Sequence, residues 1–294
     1  MLSLCIVLLV LSTAAALAAE DDPPRWTFAS ENSLQIQQMA LSNWAGGGES
    51  SWGTTGDFNP TAVYAKGKFR WINATEVKYG LFKTKGLPVR KHDDYLSINS
   101  IVEYKLDERL SLGGLVRLHS QLAPSYNFDR DPVKGDKISD FLSPGYLLAG
   151  VGVQFKYRPP GLLIQLSPAT LKQTLVLDGE VRELNQTISG GLYGNDGDRV
   201  RHQFGAFSYL AAVLPVAKNV HLEVDSQFFF HYADIVLDVD ARIELKGKIN
   251  EHLQASLETR LLFDEDNDTD IEKAGKQENL QLKQVLGLKL TFGF

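Results

Sequence analysis

The residues best equipped for chemistry lie in three places. The densest is Asp264-Glu265-Asp266-Asn267-Asp268-Thr269-Asp270, a run of oxygen-bearing side chains suited to a hard cation. A hand-type calcium loop needs glycine at its sixth position and a bidentate acid at its twelfth. Counted from Asp264 these are Thr269 and Gly275, and counted from Asp266 they are Ile271 and Gln277, so both registers fail. Two readings stand, a weak divalent-ion site or a solvated loop. The second place is His92-Asp93-Asp94, where no further histidine falls at a ligand spacing, so it reads as a loop-to-strand boundary. The third is the pair His202 and Ser208, which nothing in the sequence links to an orienting polar partner. With no G-x-S-x-G elbow and no zinc-hydrolase motif, the chain is expected to be no enzyme and to need no metal or cofactor.

A larger set of charged residues is ordered by period. Glu223 and Asp225 alternate with Val220, Leu222 and Val224, and His221 and Gln227 share their face. Asp238, Asp240, Arg242, Glu244 and Lys246 alternate with Leu237, Val239, Ala241, Ile243 and Leu245, and Ile235 extends that apolar row. Lys156 and Arg158 follow the same rule against Val151, Val153, Phe155 and Tyr157, and Arg117 and His119 are placed on the same charged face. Successive side chains on a strand point to opposite faces, so each segment carries one apolar and one charged surface. Acids on one side and bases roughly across from them would set up a transverse field in a water-filled lumen. The alternative is that these groups pair across the lumen and plug it.

What must position them is a long series of strands. From Trp26 onward, alternating segments are divided by short breaks (66–68, 107–109, 159–161, 217–219, 249–251) and mostly longer polar ones (45–57, 83–93, 123–144, 178–199, 264–277), plus a tight one at 232–234. The two kinds interleave and separate twelve strands. The best-patterned run 12 residues or more, beyond the roughly 5–6 usual in soluble sheets and enough for the roughly 9–11 of a tilted membrane strand. Aromatic residues Trp71, Tyr79, Tyr104, Tyr157, Tyr232, Phe263 and Phe292 fall near strand ends. An open edge in hydrocarbon costs several kcal/mol per unpaired group, so the sheet must close. The predicted fold is therefore all-β, a transmembrane antiparallel up-and-down barrel of about twelve strands. Pro168 and the small residues 206–212 blur the period in 162–177 and 200–215, where bulges are expected. Leu290, Phe292 and Phe294 alternate to the terminal aromatic, as an assembly signal for an insertion machinery would.

The amino-terminal part reads as a leader. Leu2 to Leu11 is apolar and Ala16 and Ala18 supply the small residues of a cleavage site, without a basic region before them. The domain plan is a signal peptide over 1–18, a periplasmic segment over 19–32 and the barrel over 33–294. The one cysteine, Cys5, lies in the leader, which excludes a disulfide framework in the mature chain. A net charge of −6 with 22% charged residues speaks against nucleic-acid binding.

Leu41-Ser42-Asn43-Trp44-Ala45-Gly46-Gly47-Gly48-Glu49 resembles the L-S-N-W-A-x-G-G-E signature of an uncharacterised family of bacterial outer-membrane proteins, classed as a domain of unknown function. Gly67-Lys68 through Trp71, Asn73 to Tyr79-Gly80, Lys91, Asp93, Ser143-Pro144, Ser167-Pro168, Gly191 and Tyr193-Gly194 look like its further motifs, so the resemblance covers nearly all of the mature chain. It implies location and fold and brings no activity. Asn43, Trp44 and Glu49 read either as a contact at a pore mouth or as an interfacial anchor beside turning glycines, Gly47 and Gly48 among them.

Together these features give an expected location in the bacterial outer membrane. The expected partners are its lipids and lipopolysaccharide, whose phosphates would share any ion at 264–270, and the barrel-assembly machinery. The expected role is a narrow passive channel for small hydrophilic solutes. The alternative is a non-conducting structural or partner-binding barrel with 123–144 and 178–199 as contact or plug elements, and the remote alternative is a barrel-borne lipid hydrolase.

Overall fold

The structure, a computed structural model, describes residues 25–39, 50–127, 136–157, 161–187, 193–195, 197–250, 252–264 and 280–293. Strands follow one another as β1 (Arg25–Met39), β2 (Ser51–Lys66), β3 (Phe69–Thr84), β4 (Val89–Lys105), β5 (Leu110–Ser120), β6 (Ser125–Asn127), β7 (Asp136–Ser139), β8 (Gly145–Tyr157), β9 (Leu162–Leu175), β10 (Val200–Ala217), β11 (Val220–His231), β12 (Val236–Lys248), β13 (Leu253–Phe263) and β14 (Leu280–Gly293), and a helix among the described residues, α1 (Gly179–Thr187), lies between β9 and β10. Twelve strands close into a barrel in the order β1-β14-β13-β12-β11-β10-β9-β8-β5-β4-β3-β2, each antiparallel to its neighbours, and β6 and β7 form a separate hairpin. The twelve-strand closure matches the fold predicted from alternation.

The barrel strands run 11 to 18 residues. One rim is made of tight turns, two of which use backbone left of the usual region, at Gly67 (φ 53°) and Asn219 (φ 63°). The opposite rim carries the longer connections. The wall is apolar outside: Phe28 is 72% exposed, Leu282 70% and Val151 61%. A cluster of Trp26, Tyr64, Phe69 and Trp71, with ring centroids 5.3–6.1 Å apart, lies near the tight-turn rim. Phe204, Phe230 and Tyr232 form a second cluster by the other rim.

Two boundaries differ from the sequence reading, and a third feature agrees with it. β1 begins at Arg25, so residues 25–32, expected in a periplasmic segment, are barrel wall paired with β2 from Arg25↔Ala65 onward. The polar Ser30 and Asn32 hid this, because they interrupt the apolar row; Ser30 Oγ donates to Asn32 Oδ1 at 2.8 Å. Ile235 was assigned to the apolar row of β12, yet it sits in the turn with φ 58°, its N–H donating to the His231 carbonyl at 3.1 Å. The third lies in the blurred region, which holds the expected bulge. The ladder shifts between Val151 and Val153 on one side of β9 and between Gly205 and Phe207 on the other, bracketing Pro168. Proline has no N–H to give a ladder, so the strand bulges there, and the inward parity changes from Thr170 and Lys172 to Ser167 and Gln165.

The bulge brings backbones close. A Cβ on Gly152 would stand 1.9 Å from the Leu166 carbonyl oxygen. Gly152→Ala is expected to destabilise the barrel by about 1–3 kcal/mol, since β8 and β9 must separate to admit the methyl. Urea unfolding in lipid vesicles measures this, and wild-type stability in the variant would show that the two strands are not pinched.

Candidate functional site

The interior of the barrel is where the charged faces meet. Its floor plan follows from strand parity: Glu76 and Lys78 enter from β3, Asp225 from β11, Asp240 and Arg242 from β12, and Glu258 and Arg260 from β13. Arg242 reaches across the barrel to Glu76 at 3.1 Å, and Lys78 reaches Glu258 at 3.4 Å and Asp57 at 3.9 Å. Arg260 grips Asp240 through two hydrogen bonds, 3.0 and 2.8 Å, and lies over the Tyr95 ring at 5.2 Å. Tyr209 donates its hydroxyl to Asp225 at 2.6 Å. Glu244, 2% exposed, lies 2.8 Å from Lys289 and 3.6 Å from Lys246, and Lys246 also meets Glu223 at 2.6 Å.

Glu103 and Asp238 pair in the same way, whereas Arg117 and His119 rest on neutral partners. Glu103 takes Lys156 at 2.6 Å and Arg70 at 3.6 Å. Asp238 takes Lys172 at 2.5 Å, and that ammonium also faces the rings of Phe229 and Tyr146. Arg117 donates to Asn99 and lies over Phe207 and Tyr209 at 5.6 and 5.3 Å. His119 lies between the Tyr95 and Tyr146 rings, tilted against both at centroid distances of 4.4 and 6.0 Å.

The positions singled out in the sequence therefore divide. Arg117, His119, Lys156, Glu223, Asp225, Asp238, Asp240, Arg242, Glu244 and Lys246 converge inside the barrel, while Arg158 lies outside the described residues. Of the two arrangements open to them, a field between separated acids and bases or direct pairing, the structure has pairing. The reason is dimensional: opposing side chains in a twelve-strand bore reach one another, and a charge removed from water is tolerated only beside its counter-charge. Asn43, Trp44, Gly47, Gly48 and Glu49, the leader 1–18, the acidic run beyond Asp264 and Phe294 all lie outside the described residues, as does the side chain of Phe292. Leu290 is on the outer surface, paired with Leu253 and Leu34.

The candidate metal and hydrolase groups are dispersed. His92 meets Thr55 at 3.1 Å, Asp93 pairs with Lys283 at 3.0 Å, and Asp94 is taken by Lys91 and by the N–H groups of Leu122 and Ala123. Among the described residues no cluster of three His, Cys, Asp or Glu could hold a metal. His202 bonds Gln173, and Ser208 is six residues along the same strand, about 20 Å away at the usual rise, so the two do not meet.

Sequence reasoning missed half of the network. Glu258 and Arg260 were readable, since Gln254, Ser256, Glu258 and Arg260 alternate with apolar residues in β13. Glu76 and Lys78 were not, because their inward row begins with Ile72 and Ala74. These two belong to a buried apolar cluster with Val63, Ile101, Leu115, Leu148, Leu163, Phe207, Tyr209, Ala211 and Phe229. A cavity directly beside the Glu76–Arg242 pair holds about 20 Å³, room for about one water.

Above the interior, on the rim with longer connections, two loops fold together. Asp178 caps α1 by accepting from the Val181 N–H at 3.0 Å, and its own N–H donates to Ser143 Oγ at 2.7 Å. Lys137 of β7 lies 2.5 Å from Asp140 and 2.8 Å from Asp178. The Tyr193 hydroxyl donates to the Ile138 carbonyl at 2.8 Å, and Val176, Val181 and Asn185 are fully buried. Among the described residues, 136–144 of one loop and 178–187 with Tyr193 of the other thus form one cap.

The family model described as "Protein of unknown function (DUF3078)" matches residues 36–126 of the 294. Among proteins with curated descriptions, none matches. Among solved structures, the chain is similar to an outer membrane channel from Pseudomonas putida F1, with TM-score 0.44 and 12% identity over 94% of this chain and 98% of that one. It is also similar to the translocator domain of the autotransporter NalP from Neisseria meningitidis, with TM-score 0.32 and 10% identity over 96% and 93%. A third is the in-vitro folded OmpT of Vibrio cholerae, with TM-score 0.32 and 9% identity over 92% and 98%.

Two expectations follow. Glu76→Ala leaves Arg242 buried without its partner and is expected to cost about 3–5 kcal/mol in urea unfolding, whereas Glu76→Leu combined with Arg242→Met costs less than the single change. A single variant as stable as wild type would remove the pair from the packing argument. The cap should respond to acid. Although burial opposes it, hydrogen bonds from Lys137 and the Val181 N–H hold the Asp178 carboxyl below its ordinary 3.8. Its contribution is complete above about pH 4 and is lost as pH falls through the lowered value. Lys137 is held above its ordinary 10.5 by Asp140 and Asp178, so its contribution is lost only at strongly alkaline pH. Protection factors for amide exchange across 179–187, corrected for the intrinsic pH dependence of exchange, should therefore be high at pH 7 and fall below pH 4. Unchanged protection in acid would show that α1 does not depend on this carboxylate.

Proposed function

We propose that the chain is an outer-membrane barrel that does not conduct, serving as a structural or partner-binding element whose contact surface is the cap on its loop rim. A membrane setting is supported by a closed sheet with strands long enough to cross, an apolar outer wall and aromatic clusters near both rims. The rim with tight turns then faces the periplasm and the capped rim faces out.

The observation that carries the silent reading is the pairing of Arg242 with Glu76 across the lumen, beside a space of about 20 Å³. The apolar cluster fills one sector of the bore, so a hydrated ion would have to pass through the charged sector and separate this pair. Loops that are shaped by their own hydrogen bonds and buried residues are suited to recognition, because little ordering remains to be done on contact.

Recording in a planar bilayer tests this. Purified barrel inserted into the bilayer is expected to give no discrete current steps, while Glu76→Ala combined with Arg242→Ala, which clears the crossing pair, is expected to give steps. Discrete openings in the wild type would support a narrow passive channel instead and overturn the silent reading.

A further inference from the structure

The barrel is closed unevenly. β1 and β14 share five residue pairs, from Glu31↔Gly293 to Gln35↔Lys289, whereas every other neighbouring pair in the ring shares ten or more. Past Gln35, β1 continues to Met39 paired with β2 alone, and Leu280 to Leu288 continue paired with β13 alone. Among the described residues no ladder joins the two edges there, so the wall parts.

Behind the parting is a cavity of about 200 Å³, ten times the space beside Arg242. Its lining mixes both sides of the wall. Gln35, Gln37, Asp57 and His92 are on inward positions, while Gln284 and Leu286 are on the outward row of β14, where Leu286 is 74% exposed. A space lined by residues of both rows lies at the level of the wall itself, beside the unpaired edge of β14. Gly287 leaves room for the Gln35 side chain there: a Cβ would stand 2.2 Å from its amide.

The cavity also holds an acceptor with no hydrogen-bond donor. Asp57 is 6% exposed, and its Oδ2 accepts from Ser33 Oγ, but its Oδ1 accepts no hydrogen bond. The nearest ammonium, Lys78, is 3.9 Å from that oxygen and donates instead to Glu258. Lys289 is held by Glu244 and Asp93 by Lys283. What is missing is therefore a donor, and an anionic head would meet Asp57, Asp93 and Glu258.

We propose that the parted β1–β14 seam binds a single-tailed amphiphile with an ammonium head, which enters from the side of the barrel. The head donates to Asp57 Oδ1 within reach of the Gln35 and Gln37 amides. The tail lies outward against Ile36, Leu286 and Leu288, which are 62%, 74% and 52% exposed. The inference rests on the barrel being in a membrane, and it is independent of whether the lumen conducts.

The sequence holds a single cysteine, Cys5, so in a Cys5→Ser background the seam can be locked by one engineered disulfide. Ile36→Cys with Leu288→Cys occupies facing positions in the continued register and leaves every polar lining residue in place. Titration calorimetry of the full barrel in nanodiscs would use dodecylamine and dodecanoate at pH 7. Dodecylamine is expected to bind saturably and at least tenfold more tightly than dodecanoate. Binding should disappear in the oxidised double-cysteine form and return on reduction, and Asp57→Ala should weaken it at least tenfold. Equal binding of both probes, non-saturable partitioning only, or binding indifferent to the disulfide would each overturn the proposal. Failure of the barrel to enter bilayers at all would instead overturn the membrane reading, which separates the two.

Discussion

A sheet that closes on itself fixes its bore by the number of its strands, and at twelve the bore is narrow enough for side chains from opposite walls to touch. Every interior residue is held to that dimension. A side chain entering the lumen leaves bulk water, so an apolar one must find apolar neighbours and a charged one must find its opposite. Val63, Ile72, Ile101, Leu115 and Phe207 do the first, and Glu76 with Arg242 and Lys78 with Glu258 do the second. The result is an interior filled in two sectors rather than a lined tube.

The ion pairs bring specificity more clearly than stability. Removing two charges from water costs several kcal/mol each, and their attraction offsets this only when geometry and further hydrogen bonds are good. The bidentate Arg260–Asp240 contact meets that standard, and the Tyr95 ring covers the guanidinium. Because β3 is joined to β12 and β13 only through the lumen, the Glu76 and Lys78 pairs also set which strands stand across from one another. A one-residue slip would turn these rows outward into the apolar wall, so the pairs hold the register of the whole ring.

The legibility of this arrangement varied strand by strand. β11 and β12 could be read almost residue by residue, since Glu223, Asp225, Asp238, Asp240, Arg242 and Glu244 alternate without interruption against aliphatic partners. β3 could not, because its inward row runs Ile72, Ala74, Glu76, Lys78 and its outward row includes Asn73 and Thr75. Hydropathy there separates neither face, as an interior that is apolar in one sector and charged in another defeats a rule based on polarity. β1 was cut short for the same reason, at Ser30 and Asn32. Pairing across the lumen was open in principle and undetermined in fact, since alternation gives a side chain's face and says nothing of the partner it meets. The cap was marked only by its length, because its order comes from Lys137, Asp178 and buried Val181, contacts made between two loops distant in sequence.

The seam shows how closure and filling constrain each other. Ten of the twelve strands are held to both neighbours by long ladders, and their interiors are packed accordingly. β1 and β14 meet for only a short stretch, and it is there, beside Gln35 and Asp57, that interior space and a carboxylate oxygen without a donor remain. Filling this space with an aliphatic side chain would bury Asp57 beyond reach of any donor, while a side chain in place of Gly287 would strike the Gln35 amide. The gap in pairing and the gap in packing are thus one feature, and a molecule satisfying both would have to be polar at the inner end and apolar at the outer.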